Sequence, residues 1–242
     1  YSIFKVLKDE FGFDFKNFKN FAGHSLGEYS ALVCSESLMF NDALYLLHER
    51  GKAMQDAVPV GEGSMLSILG LNIEDINKSL NDFEDEGICE VANDNAIGQV
   101  IVSGNKNSLD NLTKNLKQKK IKSIPLKVSA PFHCSLMKPA SEKMSEKINN
   151  TSFEKPKNVI ISNVTGQETQ EVEKIKDLLI KQIESPVRWR ESVIYMIENG
   201  VTNFIEIGPG KVLSGLVKRI NKTINVNTIN KLEDLKDIKL ND

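Results

Sequence analysis

The chain of 242 residues carries 31 Lys and Arg against 33 Asp and Glu, so it lacks the basic surplus that general nucleic-acid binding needs to displace counterions. Hydrophobic residues at 40% and charged residues at 26% describe an ordinary globular chain, and no apolar run approaches the roughly 20 residues of a membrane span. Cys34, Cys89 and Cys134 are too few and too scattered for a disulfide framework or a metal site, which leads us to expect a reducing, cytoplasmic compartment and no bound metal.

The chain opens with Tyr1 inside an amphipathic pattern, Ile3, Phe4, Leu7 and Phe11 at helical spacing. The start shows no basic-then-apolar signal pattern, and the expectation is a fragment of a longer protein whose N-terminal part is missing. A short strand at Phe18–Ala22 runs into Gly23-His24-Ser25-Leu26-Gly27, and a helix follows from about Leu26. A second helix starts near Asn41 or Asp42, either of which could cap it. Leu44, Leu47, Gly51, Met54 and Val58 give that helix one buried face, and Pro59 with Gly61-Glu62-Gly63 ends it.

A unit with its own rhythm follows: strand Ser64–Leu69, helix Ile73–Phe83, strands Ile88–Ala92 and Gln99–Val102 joined across Asp94–Gly98, helix Ser108–Lys119 and strand Ile124–Val128. This β-α-β-β-α-β order is ferredoxin-like. It predicts a small α+β subdomain, residues 59–128, inserted into a parallel-sheet α/β domain made of residues 1–58 and 129–242. In the second part of that domain a helix runs from Pro139 to about Asn149 and a strand covers Val159–Asn163. Ser185-Pro186 reads as the start of another helix ending before Gly200. Strand Asn203–Ile207 enters Gly208-Pro209-Gly210, and a last helix spans about Lys211–Ile220, followed by a polar tail.

Gly23-x-Ser25-x-Gly27 between strand and helix has the pattern of a nucleophile elbow, in which the Leu26 amide would face an oxyanion on an attacked carbonyl. The same residues also suit a glycine-rich turn with a capping serine. Of the three histidines, His24 adjoins the serine and should point away from it, and His48 reads as a helix-face residue. His133, in Ala130-Pro131-Phe132-His133 just beyond the insert, is the best candidate base. Arg50 projects beside the buried stripe of the second helix. A half-buried guanidinium there suits either an internal ion pair or the free carboxylate of a dicarboxylic acyl group.

The segment Gly23-His24-Ser25-Leu26-Gly27-Glu28-Tyr29-Ser30-Ala31-Leu32 closely resembles the active-site segment of malonyl-CoA:acyl-carrier-protein transacylases of bacterial fatty-acid synthesis. The resemblance continues through Arg50-Gly51-Lys52-Ala53-Met54-Gln55 and Pro131-Phe132-His133-Cys134-Ser135-Leu136-Met137. It resumes at Gln182 with Ser185-Pro186-Val187-Arg188-Trp189, and again at Glu206-Ile207-Gly208-Pro209-Gly210-Lys211-Val212-Leu213. It implies an α/β-hydrolase-like domain with a ferredoxin-like insert. It also implies a serine nucleophile at Ser25, a general base at His133, and a carboxylate-binding Arg50. Further, it implies that Gln182 orients the histidine through a carbonyl in place of a triad aspartate, and that Phe132 narrows the acyl pocket. Met54, within the Arg50 segment, joins Arg50 and Phe132 as an expected substrate contact.

The implied partners are a coenzyme A thioester, malonyl-CoA, and the phosphopantetheine thiol of acyl carrier protein, with no resident cofactor and a monomeric chain. Two departures accompany the likeness. The family's N-terminal Gly-Gln-Gly-Ser-Gln segment, whose second Gln helps form the oxyanion hole, is absent from this sequence, and roughly a quarter of a family-length chain would precede Tyr1. Ile97 stands where relatives often have proline, with an effect expected only in its loop.

A general α/β-hydrolase esterase would share the elbow, but its histidine follows a late acidic residue, and no histidine follows His133. A non-catalytic carrier-binding module is the other rival. Two features stay open at this level. The Lys117–Lys122 stretch is a solvated helix end or an attraction for an acidic carrier. The Gly208-Pro209-Gly210 turn is a simple strand-to-helix joint or a phosphate contact.

Overall fold

The computed structural model describes residues 1–83 and 85–237; residues 238–242 of the polar tail lie outside the described residues. The elements in chain order are α1 (Ser2–Asp9), β1 (Asn20–Ala22), α2 (Gly27–Cys34), α3 (Phe40–Asp56), β2 (Gly63–Leu69), α4 (Ile73–Asn81), β3 (Cys89–Ala96), β4 (Gln99–Asn105) and α5 (Lys106–Gln118). They continue with β5 (Lys122–Pro125), α6 (Lys138–Asn149), β6 (Val159–Ile161), β7 (Glu168–Thr169), α7 (Val172–Gln182), α8 (Trp189–Glu198), β8 (Asn203–Ile207), α9 (Val212–Ile220) and β9 (Asn225–Ile229).

β1 pairs in parallel with β6, Phe21 opposite Ile160, and β7 adds an antiparallel strand on the far side of β6. β8 and β9 form a second parallel pair. The main core gathers where α2, α3, α6 and α7 pack on β6, with Tyr29, Leu32, Leu46, Met144, Ile160 and Leu179 at its centre. Nearly every side of α2 is covered, which accounts for its run of apolar residues without an exposed stripe. Between β1 and β8 lies a cavity of about 640 Å³ with largely apolar walls, including Phe15, Phe21, Trp189, Phe204 and Leu216.

The insert is a four-stranded antiparallel sheet in the order β3-β4-β2-β5, which is the ferredoxin-like arrangement. Alternation along its strands sends Leu66, Ile68, Val100 and Val102 toward the leucine stripe of α5, Leu109, Leu112 and Leu116. Met65 and Ile101 take the opposite face, where Phe132 of the large domain packs against them. The Asn72 side chain caps α4 by accepting from the Asp75 N–H at 2.7 Å.

Several sequence expectations are corrected. α3 begins at Phe40, ahead of both Asn41 and Asp42, and its buried stripe is Ala43, Leu46, Arg50, Ala53 and Met54. Leu44 is 51% exposed and Gly51 is exposed, whereas Met54 and Val58 are buried as expected, so the buried face is turned toward Ala43, Leu46 and Arg50. Small Ala43 and Ala53 face the core where α3 runs along α6, and Arg50 lies on the buried face itself. β3 extends through Asp94, Asn95 and Ala96, residues assigned from sequence to a connecting loop, with two register shifts that accommodate them. β5 lies about two residues earlier than expected and stops at Pro125, as suits an edge strand. Ser185-Pro186 does not start a helix, because Val187 is bonded to β3: its N–H donates to Ala92 O at 2.8 Å and its carbonyl accepts from the Asp94 N–H at 3.0 Å. α8 therefore begins only at Trp189. α7, β7 and β9 were not anticipated. Among the described residues no helix is long and apolar enough to cross a membrane.

Candidate active site

β1 ends at Ala22 and α2 starts at Gly27, leaving four residues to reverse the chain. Ser25 takes the strain, with φ of 53° in the left-handed region that non-glycine residues rarely occupy. Gly23 makes the close approach possible, since a Cβ there would lie 2.0 Å from the carbonyl carbon of Gly27. Asn163, just beyond β6, clamps both sides of the turn. Its Oδ1 accepts from the Ser25 N–H at 2.6 Å and its Nδ2 donates to Gly23 O at 2.8 Å. The Leu26 amide sits at the start of α2, among the helix's first unpaired donors, while its side chain is exposed.

His133 lies in the loop that leaves the insert and is also held at positive φ, 61°. Its Nε2 is 2.7 Å from Ser25 Oγ, and its Nδ1 is 2.8 Å from the Gln182 backbone carbonyl. Gln182 is the last residue of α7, so that carbonyl belongs to the group a helix leaves unpaired at its C-terminus, the negative end of its dipole. Donation from Nδ1 to the carbonyl fixes the tautomer that leaves Nε2 free to accept the serine proton. Burial, then the charge of Arg50, pushes the imidazole down to about 3, so it stands neutral in the resting site.

Arg50 is 6% exposed, and its Nη2 donates to Ser25 Oγ at 3.1 Å and to Gln182 Oε1 at 3.1 Å. Its Nε finds no partner among the described residues, and its guanidinium stands 6.0 Å from the Tyr29 ring. Burial lowers its basicity, with Tyr29 and Glu28 opposing. The cation therefore sits beside the serine oxygen with bonding capacity unused.

The structure thus brings Ser25, His133, Arg50 and Gln182 together. Phe132 is half-buried between the main core and the insert, next to the histidine. Met54, one turn beyond Arg50, is packed within the main core at 2% exposure. His24 points away from the serine, as read from its position: its Nε2 bonds Asn95 Oδ1 of the insert at 2.8 Å, and its ring tilts against Trp189. His48 is exposed on α3. The Gly208-Pro209-Gly210 turn joins β8 to α9, whose first amides are already taken by Glu206: Leu213 N–H and Ser214 N–H donate to its carboxylate at 3.2 and 2.7 Å. With that anion in place, the turn has no need of a phosphate.

Two residues of the site escaped the sequence reading. The sequence marks Asn163 only as the end of a strand. Glu28, buried on the first turn of α2, accepts from Gln182 Nε2 at 2.7 Å and from the Asn163 N–H at 3.1 Å, and burial raises its carboxyl to about 7. Its one sequence signal was a charged residue directly after the elbow, which reads equally well as a favourable helix N-terminal acid.

A serine on a strained strand-to-helix elbow, a histidine fixed by a helix-end carbonyl, and a ferredoxin-like insert on an α/β domain together define a class of serine acyl-group sites. Residues 16–236 match the family described as acyl transferase domain, and the chain belongs to that family. It is 46% identical over 205 residues to the malonyl CoA-acyl carrier protein transacylase of Bacillus subtilis (strain 168), a stretch covering 84% of this chain and 65% of that protein. The crystal structure of the acyl-carrier-protein-S-malonyltransferase from Bartonella henselae superimposes with a TM-score of 0.93 at 38% identity, over 97% of this chain and 75% of that one. A malonyl-transacylase solved in complex with a type II PKS acyl-carrier protein matches with a TM-score of 0.92 at 38% identity, over 97% and 75% of the two chains.

Proposed function

We propose that this chain carries the malonyl-transfer site of an acyltransferase that moves malonyl from malonyl-CoA to the phosphopantetheine thiol of acyl carrier protein through a malonyl-serine. The observation that carries the reading is the convergence of two groups on one oxygen: His133 at 2.7 Å and the buried cation of Arg50 at 3.1 Å from Ser25 Oγ. A base alone serves any ester. A buried cation with unused donors beside the nucleophile favours an acyl group that ends in a carboxylate. The names of the relatives, and the carrier protein bound to one of them, point the same way.

In this mechanism His133 Nε2 takes the Ser25 proton as Oγ attacks the thioester carbon, and the oxyanion is met by the Leu26 amide. Collapse of the tetrahedral intermediate breaks the carbon–sulfur bond, and the departing thiolate takes the proton from His133. The carrier thiol then gives its proton to His133 as its sulfur attacks the malonyl-serine carbonyl. Collapse breaks the carbon–Oγ bond, and Oγ takes the proton back from His133, which restores Ser25 and completes the exchange. The donor's carboxylate, once paired with Arg50, offsets the charge that depresses His133, so binding the correct acyl group also strengthens the base. The thioester brings its own activation, so the reading calls for no resident cofactor. Free Cys34, Cys89 and Cys134 suit a cytoplasmic setting for such thioester chemistry.

Intact-protein mass spectrometry after brief exposure to malonyl-CoA tests the first half-reaction. One malonyl adduct, absent from Ser25→Ala, is the expected result. An unmodified wild-type chain under conditions where it is folded would reject the reading for this chain.

A further inference from the structure

We propose that Glu28 is a positioning residue that sets the direction of the Gln182 side-chain amide and, through it, the aim of Arg50 at the acyl group. The inference rests on the malonyl-transfer reading and deepens it by assigning a determinant of donor choice. Among the described residues Arg50 makes no ion pair. An amide stands between it and the buried carboxyl instead. Gln182 Nε2 donates to Glu28 Oε2 at 2.7 Å and to Ser25 O at 3.1 Å, while Gln182 Oε1 accepts from Arg50 Nη2 at 3.1 Å.

An amide has two unlike ends, and its two neighbours here are unlike as well. Glu28 Oε2 serves here as acceptor to two N–H donors and a guanidinium only donates, so one orientation of the amide satisfies both and the reverse orientation opposes both. Glu28 lies three residues after Ser25, and the N–H of Asn163, the residue that clamps the elbow, fixes the same Oε2 at 3.1 Å. The network thus ties the direction of Arg50 to the backbone that carries the nucleophile. Arg50, Tyr29, Gln182 and Asn163 are the charged and polar groups around this carboxyl.

The test compares acylation rates with malonyl-CoA and acetyl-CoA in wild type, Glu28→Leu, Glu28→Gln and Glu28→Asp. Losing a hydrogen bond that aligns a charged group should lower malonyl acylation about tenfold or more relative to acetyl in Glu28→Leu. Glu28→Asp keeps the charge but falls a methylene short of Gln182, and should shift the ratio in the same direction; it serves if Glu28→Leu does not fold. Glu28→Gln retains an oxygen able to accept both bonds and should keep a ratio close to wild type. Equal losses with both donors, no loss, or a Glu28→Gln ratio as poor as that of Glu28→Asp would overturn the proposal. If wild type accepts neither donor, the malonyl reading fails separately. The Gln182 side-chain amide resonances, read by NMR on glutamine-labelled protein, then decide the positioning role. Slow exchange in wild type and Glu28→Gln but fast exchange in Glu28→Asp upholds it, and equal protection in all of them overturns it.

Discussion

Ser25 Oγ has two neighbours with opposed demands. His133 must accept its proton, and Arg50 raises the cost of placing that proton on the imidazole. Removing the cation should therefore act in two ways. Arg50→Ala should cut malonyl acylation far more than acetyl acylation, and it should also raise the His133 pKa seen by NMR. Equal losses on the two donors would remove the carboxylate role. The buried pair of titrating groups makes a second prediction with a defined sign. Between about 4.5 and 6.5 the unfolded chain holds a proton on His133 that the folded chain lacks, since burial pushes the folded imidazole down to about 3. Over the same range the folded chain holds a proton on Glu28, raised to about 7, that the unfolded chain lacks. The first raises stability with pH and the second lowers it, so their slopes cancel. Glu28 is left uncompensated in His133→Gln, which should lose stability relative to wild type by about 1.4 kcal/mol per pH unit as the pH rises through that window. Denaturant melts at several pH values would show it, and parallel curves for the two proteins would refute it.

At the scale of elements, the site is an assembly of ends. The N-terminus of α2 follows the serine elbow, and the C-terminus of α7 offers His133 a backbone carbonyl where a triad acid offers a carboxylate elsewhere. The insert is anchored to the large domain by the polar stretch of β3. Asn95 holds His24, Asp94 and Val187 share a backbone bond, and the Asp94 carboxylate meets Arg190 Nε at 2.8 Å. The Asp94 side chain is 4% exposed and that of Arg190 21% exposed, so the pair is mostly removed from water. Its burial raises the Asp94 carboxyl, and Arg190 opposes that rise. Arg190→Ala leaves a buried carboxylate without its cation, and should cost about 3 kcal/mol, the lower end for a broken buried pair given the partial exposure of the arginine. The cost should shrink as the pH falls and Asp94 takes a proton. A deficit in stability that does not change with pH would point to lost packing instead.

On the scale of the whole molecule, the main core and the insert meet at one seam. Phe132 belongs to both sides of it, touching the main core and the inner face of the insert sheet, one residue before the histidine. Packing of the insert therefore sets the position of the base, and a fault in docking should reach catalysis through His133. The cavity of about 640 Å³ between β1 and β8 is a second whole-molecule feature, with Phe21 and Phe204 on its walls. Apolar walls of that extent are expected to take up a hydrophobic dye such as anilinonaphthalene sulfonate. A fluorescence gain on the folded chain is the expected result, and its absence would mean that the walls close on each other in solution.

The amino-acid order by itself determined what local physics can determine. The glycine and serine spacing marked the elbow, because a Cβ at Gly23 has nowhere to go. The strand and helix rhythm of residues 59–128 led to the expectation of an insert, because period-2 and period-3.6 burial are written in neighbouring residues. Arg50 and His133 entered as candidates from their types and positions, and Gln182 only from the family resemblance. Tertiary structure alone decided which groups meet. The face of α3 was misread over its first turns, where Ala43 and Leu46 rather than Leu44 pack on the core, and that packing turned Arg50 inward. Ser185-Pro186 looked like a helix start, and the bonds of Val187 to β3 prevented it. Asn163 carried no legible signal and Glu28 only an ambiguous one, since their roles consist of hydrogen bonds across more than 130 residues of chain. Local sequence reports the conformation a segment prefers; only the folded chain brings distant donors and acceptors within 3 Å of one another.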